Sequence, residues 1–378
     1  MRSFNSAPSL TIEGKYAKLG SFTSGFDYLR IGLAIAVILM HSIIITGGRG
    51  TLSDLWSGWS RIPFSAILPM FFALSGFLVA GSLKRRPSAT SFVTLRGLRL
   101  VPALAVEILL SALILGPLLT TLSLGDYFTS KGFIVYFLNI TGNIHLTLPG
   151  VFEHNIYPKT VNGSLWTIPY ELECYLLLIA AYVLGVVERR ALFAGLTIVC
   201  VVLGTLSLAL HYDPALAMNR PVGRALVVAF LVGVLINLYS DKIVLSAPLF
   251  AACLALSCAL LFDYRTIYLA TVPVAYVTLY LGMLTPRKVW PLTSGDYSYG
   301  LYLFAYPIQQ TFSLFGLDRH NWLLNSLLTI VAGLAYAAFS WWCVEEPILR
   351  RKRAITQRLE QIVDGLKATF RRRFARAS

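Results

Sequence analysis

Two ionisable side chains, Arg30 and His41, interrupt the apolar run from Tyr28 to Thr46. They are eleven residues apart. On a helix turning about 100° per residue this puts them within about 20° of one stripe and roughly 16 Å apart along the axis. An ionisable group inside an apolar span is costly, so it is a functional candidate by default. The guanidinium near the start of the run offers a planar fork for phosphate. The imidazole deeper in suits proton transfer near neutral pH. The plainer readings are a snorkelling arginine and a histidine that satisfies a core hydrogen bond. A second constellation is Asn162-Gly163-Ser164-Leu165-Trp166-Thr167-Ile168-Pro169-Tyr170-Glu171-Leu172-Glu173-Cys174-Tyr175. Glu171 and Glu173 are two apart and cannot share a helix face, whereas Tyr175 lies on the face of Glu171. Counted from the outer ends of their runs, Glu171 is about seven residues deep and His41 about six, which are similar depths at 1.5 Å per residue. The spacing predicts a base and its orienting acid on facing helices; an inter-helix polar clamp is the alternative.

Further groups cluster at two other places. Lys84-Arg85-Arg86 is followed by Arg96-Gly97-Leu98-Arg99-Leu100-Val101-Pro102, which reads as the opening of the next span. Arg96 and Arg99 share a face. With Arg30 and Arg86 they make a cationic mouth able to receive the phosphates of a large anionic donor, or else ordinary flanking charge. Ser298-Tyr299-Gly300-Leu301-Tyr302-Leu303-Phe304-Ala305-Tyr306-Pro307-Ile308-Gln309-Gln310 supplies hydroxyls and amides within another run. Tyr302, Tyr306 and Gln309, together with Ser75, Trp166 and Tyr175, are the expected lining for a substrate; interfacial tyrosines and, for Ser75-Gly76, close helix packing are the plainer accounts. Glu345-Glu346-Pro347 ends the last run, and its acids read as structural.

These residues need a membrane scaffold to position them. The chain has 378 residues, 56% hydrophobic and only 13% charged, against about a quarter charged in a soluble domain. Apolar runs of about 20 residues predict about ten spans: 28–47, 63–83, 100–122, 164–187, 191–210, 222–239, 243–262, 266–284, 297–315 and 322–344. Within 125–163, Phe133–Leu138 is a short apolar stretch that reads as re-entrant or interfacial. The expected fold is thus all-α, a polytopic transmembrane bundle. A net charge of +14 does not imply nucleic acid, because the cations lie between the runs. With the N-terminus in the cytosol, 23 Lys and Arg fall on the inner side, Arg2 among them, and 8 outside, Arg220 among them, which is the positive-inside pattern with both termini cytosolic. The expected organisation is a cytosolic segment 1–27, a membrane domain 28–347 and a basic cytosolic tail 348–378. In the tail, Ile355, Leu359, Ile362, Val363, Leu366 and Phe370 recur at helical spacing, as in a helix lying on an anionic leaflet. The five cysteines, 174, 200, 253, 258 and 343, sit in apolar runs without metal-ligand spacing, so neither metal nor disulfide is expected.

Taken in order, the Arg30–His41 pair, Phe71-Phe72-Ala73-Leu74-Ser75-Gly76-Phe77-Leu78, the Arg96–Pro102 segment, the Glu171 segment, the Tyr302 segment and Glu345-Glu346-Pro347 resemble the integral-membrane acyltransferase-3 family. That family includes O-antigen, exopolysaccharide and Nod-factor O-acetyltransferases. The resemblance covers residues 26–347. It implies a multi-pass protein of the bacterial inner membrane that transfers an acyl group, acetyl above all, from acetyl-CoA or another acyl-CoA to a carbohydrate hydroxyl. It further implies His41 as the essential histidine, Arg30 as its paired arginine on the donor side, Glu171 as the recurrent acid, and Arg96 and Arg99 as donor-binding arginines. Two departures stand out: many relatives carry a histidine where this chain has Ala305, and the short stretch after Val344 gives no expectation of the appended hydrolase-like domain found in some. A transporter or flippase, and an assembly subunit of an export complex, are the competing classes; buried Arg, His and Glu also fit a proton relay. Oligomeric state is not legible in these residues.

Overall fold

The structure, a computed structural model, describes residues 11–18, 23–213, 222–290 and 295–374. Arg2, Arg220 and the side chain of Phe370 lie outside what is described. Helices dominate, and no β-strand occurs among the described residues beyond the isolated bridges Thr11–Val244 and Thr120–Val151. In chain order the main helices are α1 (Ile12–Lys18), α2 (Ser24–Gly47), α3 (Arg61–Arg85), α4 (Ala89–Leu110), α5 (Ile168–Val183), α6 (Arg190–Leu210), α7 (Gly223–Leu238), α8 (Ala247–Phe262), α9 (Ile267–Gly282), α10 (Tyr297–Leu314), α11 (Trp322–Ser340) and α12 (Lys352–Phe374).

Helices α2 to α11 occupy the segments expected as spans. Five stretches, Ser24–Gly47, Gly58–Arg85, Ala89–Leu119, Arg190–Leu210 and Trp322–Arg350, are long and apolar enough to cross a membrane. Gly223–Leu238 and Ala247–Phe262 are apolar but shorter. The apolar window of α2 is 61% buried and that of α6 only 17%. Thus α2 is the central post, packed on α3, α9, α10 and α11. Helix α6 instead turns Leu196, Ile198, Val199, Leu203 and Leu206 outward, an apolar rim suited to lipid.

Small residues set the closest crossing. Helices α3 and α7 touch backbone to backbone: a Cβ at Gly76 would run into the Phe230 carbonyl, and one at Gly233 into that of Ala73. Without a hydrophobic force between helices in lipid, such contact is what holds them together. The structure therefore supports packing as the work of Gly76.

The third helix begins earlier than its sequence suggests. It starts at Ala89, capped by the Ser88 hydroxyl accepting from Ser91 N–H, rather than near residue 100. Phe92, Thr94 and Leu100 already bury one side of the early turns. As a result Arg96 and Arg99 lie about two turns inside a helix and do not flank it. The helix runs on to Leu119 through a π-helical turn at Ser111–Leu115, and α11 continues through a second one at Trp341–Glu345. Single π turns widen a helix locally and recur at functional sites.

Residues 120–162 form a folded cap, not a span. Short helices at Leu124–Thr129 and Lys131–Tyr136 lead into a 3-10 turn at Phe137–Thr141. Asn139 then clamps the return, donating to the Tyr136 and His145 carbonyls and accepting from His145 N–H. Tyr127, Tyr136, Val151, Phe152 and Val161 are fully or almost fully buried against α4 and α5. At one end of the bundle α1 docks on residues 240–243 through Ile12 N–H to the Ile243 carbonyl. Helix α12 docks at the start of α4, where Ser88 Oγ donates to Glu360 Oε1 at 2.7 Å. Leu359, Ile362 and Leu366 of α12 are exposed.

Candidate active site

Helix α10 organises the site. Tyr299, Tyr302 and Tyr306 recur at three- and four-residue spacing and share one face. Each meets a different partner, so the helix works as a ladder with three rungs.

At the lowest rung, Arg99 lies over the Tyr299 ring, 5.5 Å from its centre. Here the charges interlock. Asp296, just ahead of α10, accepts at Oδ2 from Arg30 at 2.7 Å and from Arg99 at 2.6 Å. Arg99 also reaches Glu345 Oε2 at 2.9 Å, and Arg30 reaches Asp27 at 2.8 Å. Ser298 Oγ supports Asp296, and Ser340 Oγ supports the buried Glu345. Burial works to raise the Asp296 carboxyl, yet Arg99 and Arg30 outweigh it and hold that carboxyl at about 2. Arg96 is different. Its Nε is buried without a hydrogen-bond partner, and it forms no ion pair among the described residues. Arg30, Arg96 and Arg99 open on a cavity of about 180 Å³ that is also lined by Ser75, Glu171, Tyr175, Ser298, Tyr299 and Tyr302.

The middle rung joins Tyr302 to Thr167, hydroxyl to hydroxyl at 2.7 Å. Tyr302 also donates to the Ser164 carbonyl at 3.2 Å. At the top rung the Tyr306 ring meets His41 edge-on, with centres 4.9 Å apart. Gly163 makes room for that ring: a Cβ there would come within 2.5 Å of Tyr306 Cε2. His41 is 7% exposed. Beginning at the adjacent Ser42 lies a network of amides and hydroxyls that ends on the buried Asp318. Gln309 Nε2 donates to the Ile38 carbonyl at 2.8 Å and to Ser42 Oγ at 2.6 Å; Ser42 donates to Asn325 Oδ1, and Asn325 donates to the Gln309 carbonyl and to Asp318. Ala305, one residue before Tyr306, packs in an apolar cluster with Ala34, Ile38, Leu301 and Ala337.

Arg30 and His41 therefore both face α10, as their shared stripe predicts. Glu171 does not face His41. It accepts from Tyr175 at 2.5 Å and lines the cavity with the arginines. The difference lies in where α5 starts. The chain descends through 142–162 before turning, so Thr167 is level with Tyr302, and Glu171, one turn further on, is level with the arginines. His41 is a rung higher. Glu173 points elsewhere and pairs with Arg224.

Of the other expected residues, Ser75, Tyr175 and Tyr302 line the cavity. Tyr306 and Gln309 belong to the histidine's surroundings. Trp166 packs on Tyr170, with ring centres 5.8 Å apart, and is not a cavity wall. Arg86 is exposed in a separate polar crevice with Ser88, Ser91, Arg353 and Glu360. Sequence reasoning passed over Asp296, Asn162, Thr167 and Glu107, and it gave Glu345 only a structural part. Glu107 carried the same signal as His41, an ionisable group inside an apolar run. Asp296 gave none, being an ordinary acid ahead of a span. No group of three or more His, Cys, Asp or Glu suited to a metal occurs among the described residues.

The helical bundle, rich in apolar spans, thus holds a cationic cavity and, at another level of α10, a buried histidine. Residues 23–345 match the family model described as an acyltransferase domain, and the chain belongs to that family. It is 29% identical to Nodulation protein 10 of Rhizobium leguminosarum bv. viciae, over 89% of this chain and 95% of the relative. It is 25% identical to an O-acetyl transferase of Shigella phage Sf6, over 86% of this chain and 96% of that protein. No solved structure matches the chain.

Proposed function

We propose that this acyltransferase sits in the bacterial inner membrane as about ten spans and moves an acetyl group from acetyl-CoA to a hydroxyl of a surface or exported glycan. The observation that carries the reading is the ladder on α10, which joins a cationic cavity to a buried histidine through the Tyr302–Thr167 hydroxyl pair and the Tyr306–His41 ring contact. The relative named an O-acetyl transferase supports acetyl as the group moved.

Arg96 supports the donor assignment, because it lines the cavity without an ion pair among the described residues, which leaves its guanidinium to a phosphate or thioester oxygen. Arg30 and Arg99 add to it once an anion competes with Asp296 for their donors. The donor supplies the acyl group activated as a thioester. His41 takes the proton of the glycan hydroxyl as its oxygen attacks the thioester carbon. The C–O bond forms, the C–S bond breaks, and the proton passes to the departing thiolate. Thr167 and Tyr302, one rung below His41, offer hydroxyls to the charge that develops on the carbonyl oxygen. Glu171 orders Tyr175 and balances Arg96 and Arg99 from across the cavity. A covalent acyl-histidine is the other version of the same step.

The test is acetylation in vesicles holding the purified protein, acetyl-CoA on one side and glycan acceptor on the other. Free CoA and acetylated glycan should appear in equal amounts, and His41→Ala should lower both by a factor of about 10² to 10⁴. Movement of glycan across the bilayer without CoA release would make the protein a transporter and overturn the assignment.

A further inference from the structure

Glu107 is fully buried in α4, and the mechanism above does not use it. Its Oε1 accepts from Asn162 Nδ2 at 2.8 Å and from Ser111 Oγ at 2.8 Å. Ser111 opens the π-helical turn at Ser111–Leu115. Oε2 is buried without a partner, as is the hydroxyl of Tyr136. No cation pairs with this carboxyl among the described residues. Burying a carboxyl in an apolar helix is expensive unless it has something to hold.

What it holds is Asn162, which is itself fully buried. Asn162 Nδ2 also donates to the Leu303 carbonyl at 2.7 Å, and its Oδ1 caps the Gly163–Thr167 turn by accepting from Ser164 N–H at 3.0 Å. The Leu303 carbonyl needs that donor. Its usual partner four residues on is Pro307, which has no N–H. Asn162 thus fills the gap that proline leaves in α10, between Tyr302 and Tyr306. The same side chain fixes the turn carrying Thr167, against which Tyr302 bonds, and Gly163, against which Tyr306 packs.

We propose that Glu107 is a positioning residue for the transfer reaction: through Asn162 it locks α4, the entry to α5 and the proline-broken middle of α10 into one register, and so sets the Thr167–Tyr302 pair and the Tyr306–His41 contact. This rests on the function proposed above. Only Oε1 of Glu107 is engaged, so an amide can replace the carboxyl. Glu107→Gln keeps the acceptor, whereas Glu107→Ala frees Asn162.

The experiment compares wild type, Glu107→Gln, Glu107→Ala, Asn162→Ala and the double alanine variant, each as full chain in detergent, for melting temperature and for kcat and donor KM per folded molecule. The expected result is a kcat roughly 10- to 100-fold lower for Glu107→Ala, as for a small misplacement of reacting groups. Donor KM should stay within about threefold, since Arg30 and Arg99 are held by Asp296 and Glu345. Glu107→Gln should restore kcat to within about threefold of wild type, and the double variant should melt and turn over no worse than the poorer single one. An unchanged kcat in folded Glu107→Ala, or a Glu107→Gln variant as inactive as the alanine, overturns the proposal. Melting shifts that simply add also overturn it, by denying the Glu107–Asn162 link. That arm needs no catalysis, so it stands even where the wild type transfers nothing, a result that would instead remove the acyl-transfer reading.

Discussion

The Tyr299 half and the Tyr306 half of the α10 ladder, inner and outer on the proposed topology, are built from opposite materials. The inner half is crowded with charge: three arginines, with Asp296 shared between two of them and Glu345 buried behind. The outer half around His41 is made of neutral amides and hydroxyls, Gln309, Ser42 and Asn325, with Asp318 at its edge. A charge-paired mouth suits holding a large anion that comes and goes, because the acids keep the arginines in place when nothing is bound. A neutral surround suits a group that must gain and lose a proton without a fixed countercharge deciding its state. Seven residues of helix, roughly 10 Å, separate the Tyr299 rung from the Tyr306 rung. On the proposed reading, holding the donor and moving the proton are tasks of different residues.

Variants can break this division, and the largest effect belongs to the outer half. His41→Ala should lower turnover by a factor of about 10² to 10⁴, the usual worth of a positioned base, as measured by acetylated product per folded molecule. Arg96→Ala should come next, with donor KM raised roughly 10- to 100-fold for a lost charge-assisted contact of about 1.5–3 kcal/mol, while turnover at saturating donor is kept. Steady-state kinetics with varied donor would read this; an equal loss in turnover would put Arg96 in the chemical step.

Glu345→Ala should destabilise the protein by about 2 kcal/mol, because it strips one buried partner from Arg99, and thermal melting checks it. Asp296 allows a sharper version through pH. Its carboxyl is held low, at about 2 against an ordinary 3.8. The stability it contributes is complete above the ordinary value and is lost as pH falls towards 2. The melting gap between wild type and Asp296→Asn should hold constant from about pH 5 upward and narrow below about pH 4. A gap that widens in acid would reverse the assigned sign. The smallest effect is at Tyr306. Tyr306→Phe keeps the ring edge against His41 and should cost less than about threefold, and Tyr306→Ala roughly fivefold, in line with about 1 kcal/mol for an aromatic contact.

The all-helical architecture and the shared stripe of Arg30 and His41 were legible because both follow from helical period and apolar run length. The partner of His41 was not. Depth counted along a run assumes that each helix starts at the membrane surface, and α5 starts only after the 142–162 cap has carried the chain inward. Likewise Arg96 and Arg99 read as a mouth ahead of the span and not as part of it, because the capped early turns of α4 look like a loop when judged by apolarity alone. Asn162 was invisible for another reason: its work is to replace the N–H that Pro307 lacks, and the two residues are far apart in sequence.

The most direct test of a split between holding and reacting is CoA binding by calorimetry to the purified wild type, His41→Ala and Arg96→Ala proteins. His41→Ala should bind CoA with wild-type affinity despite its lowered turnover, and Arg96→Ala should bind at least roughly tenfold more weakly, the equivalent of about 1.4 kcal/mol. Loss of CoA binding in His41→Ala, or full binding in Arg96→Ala, would contradict the account.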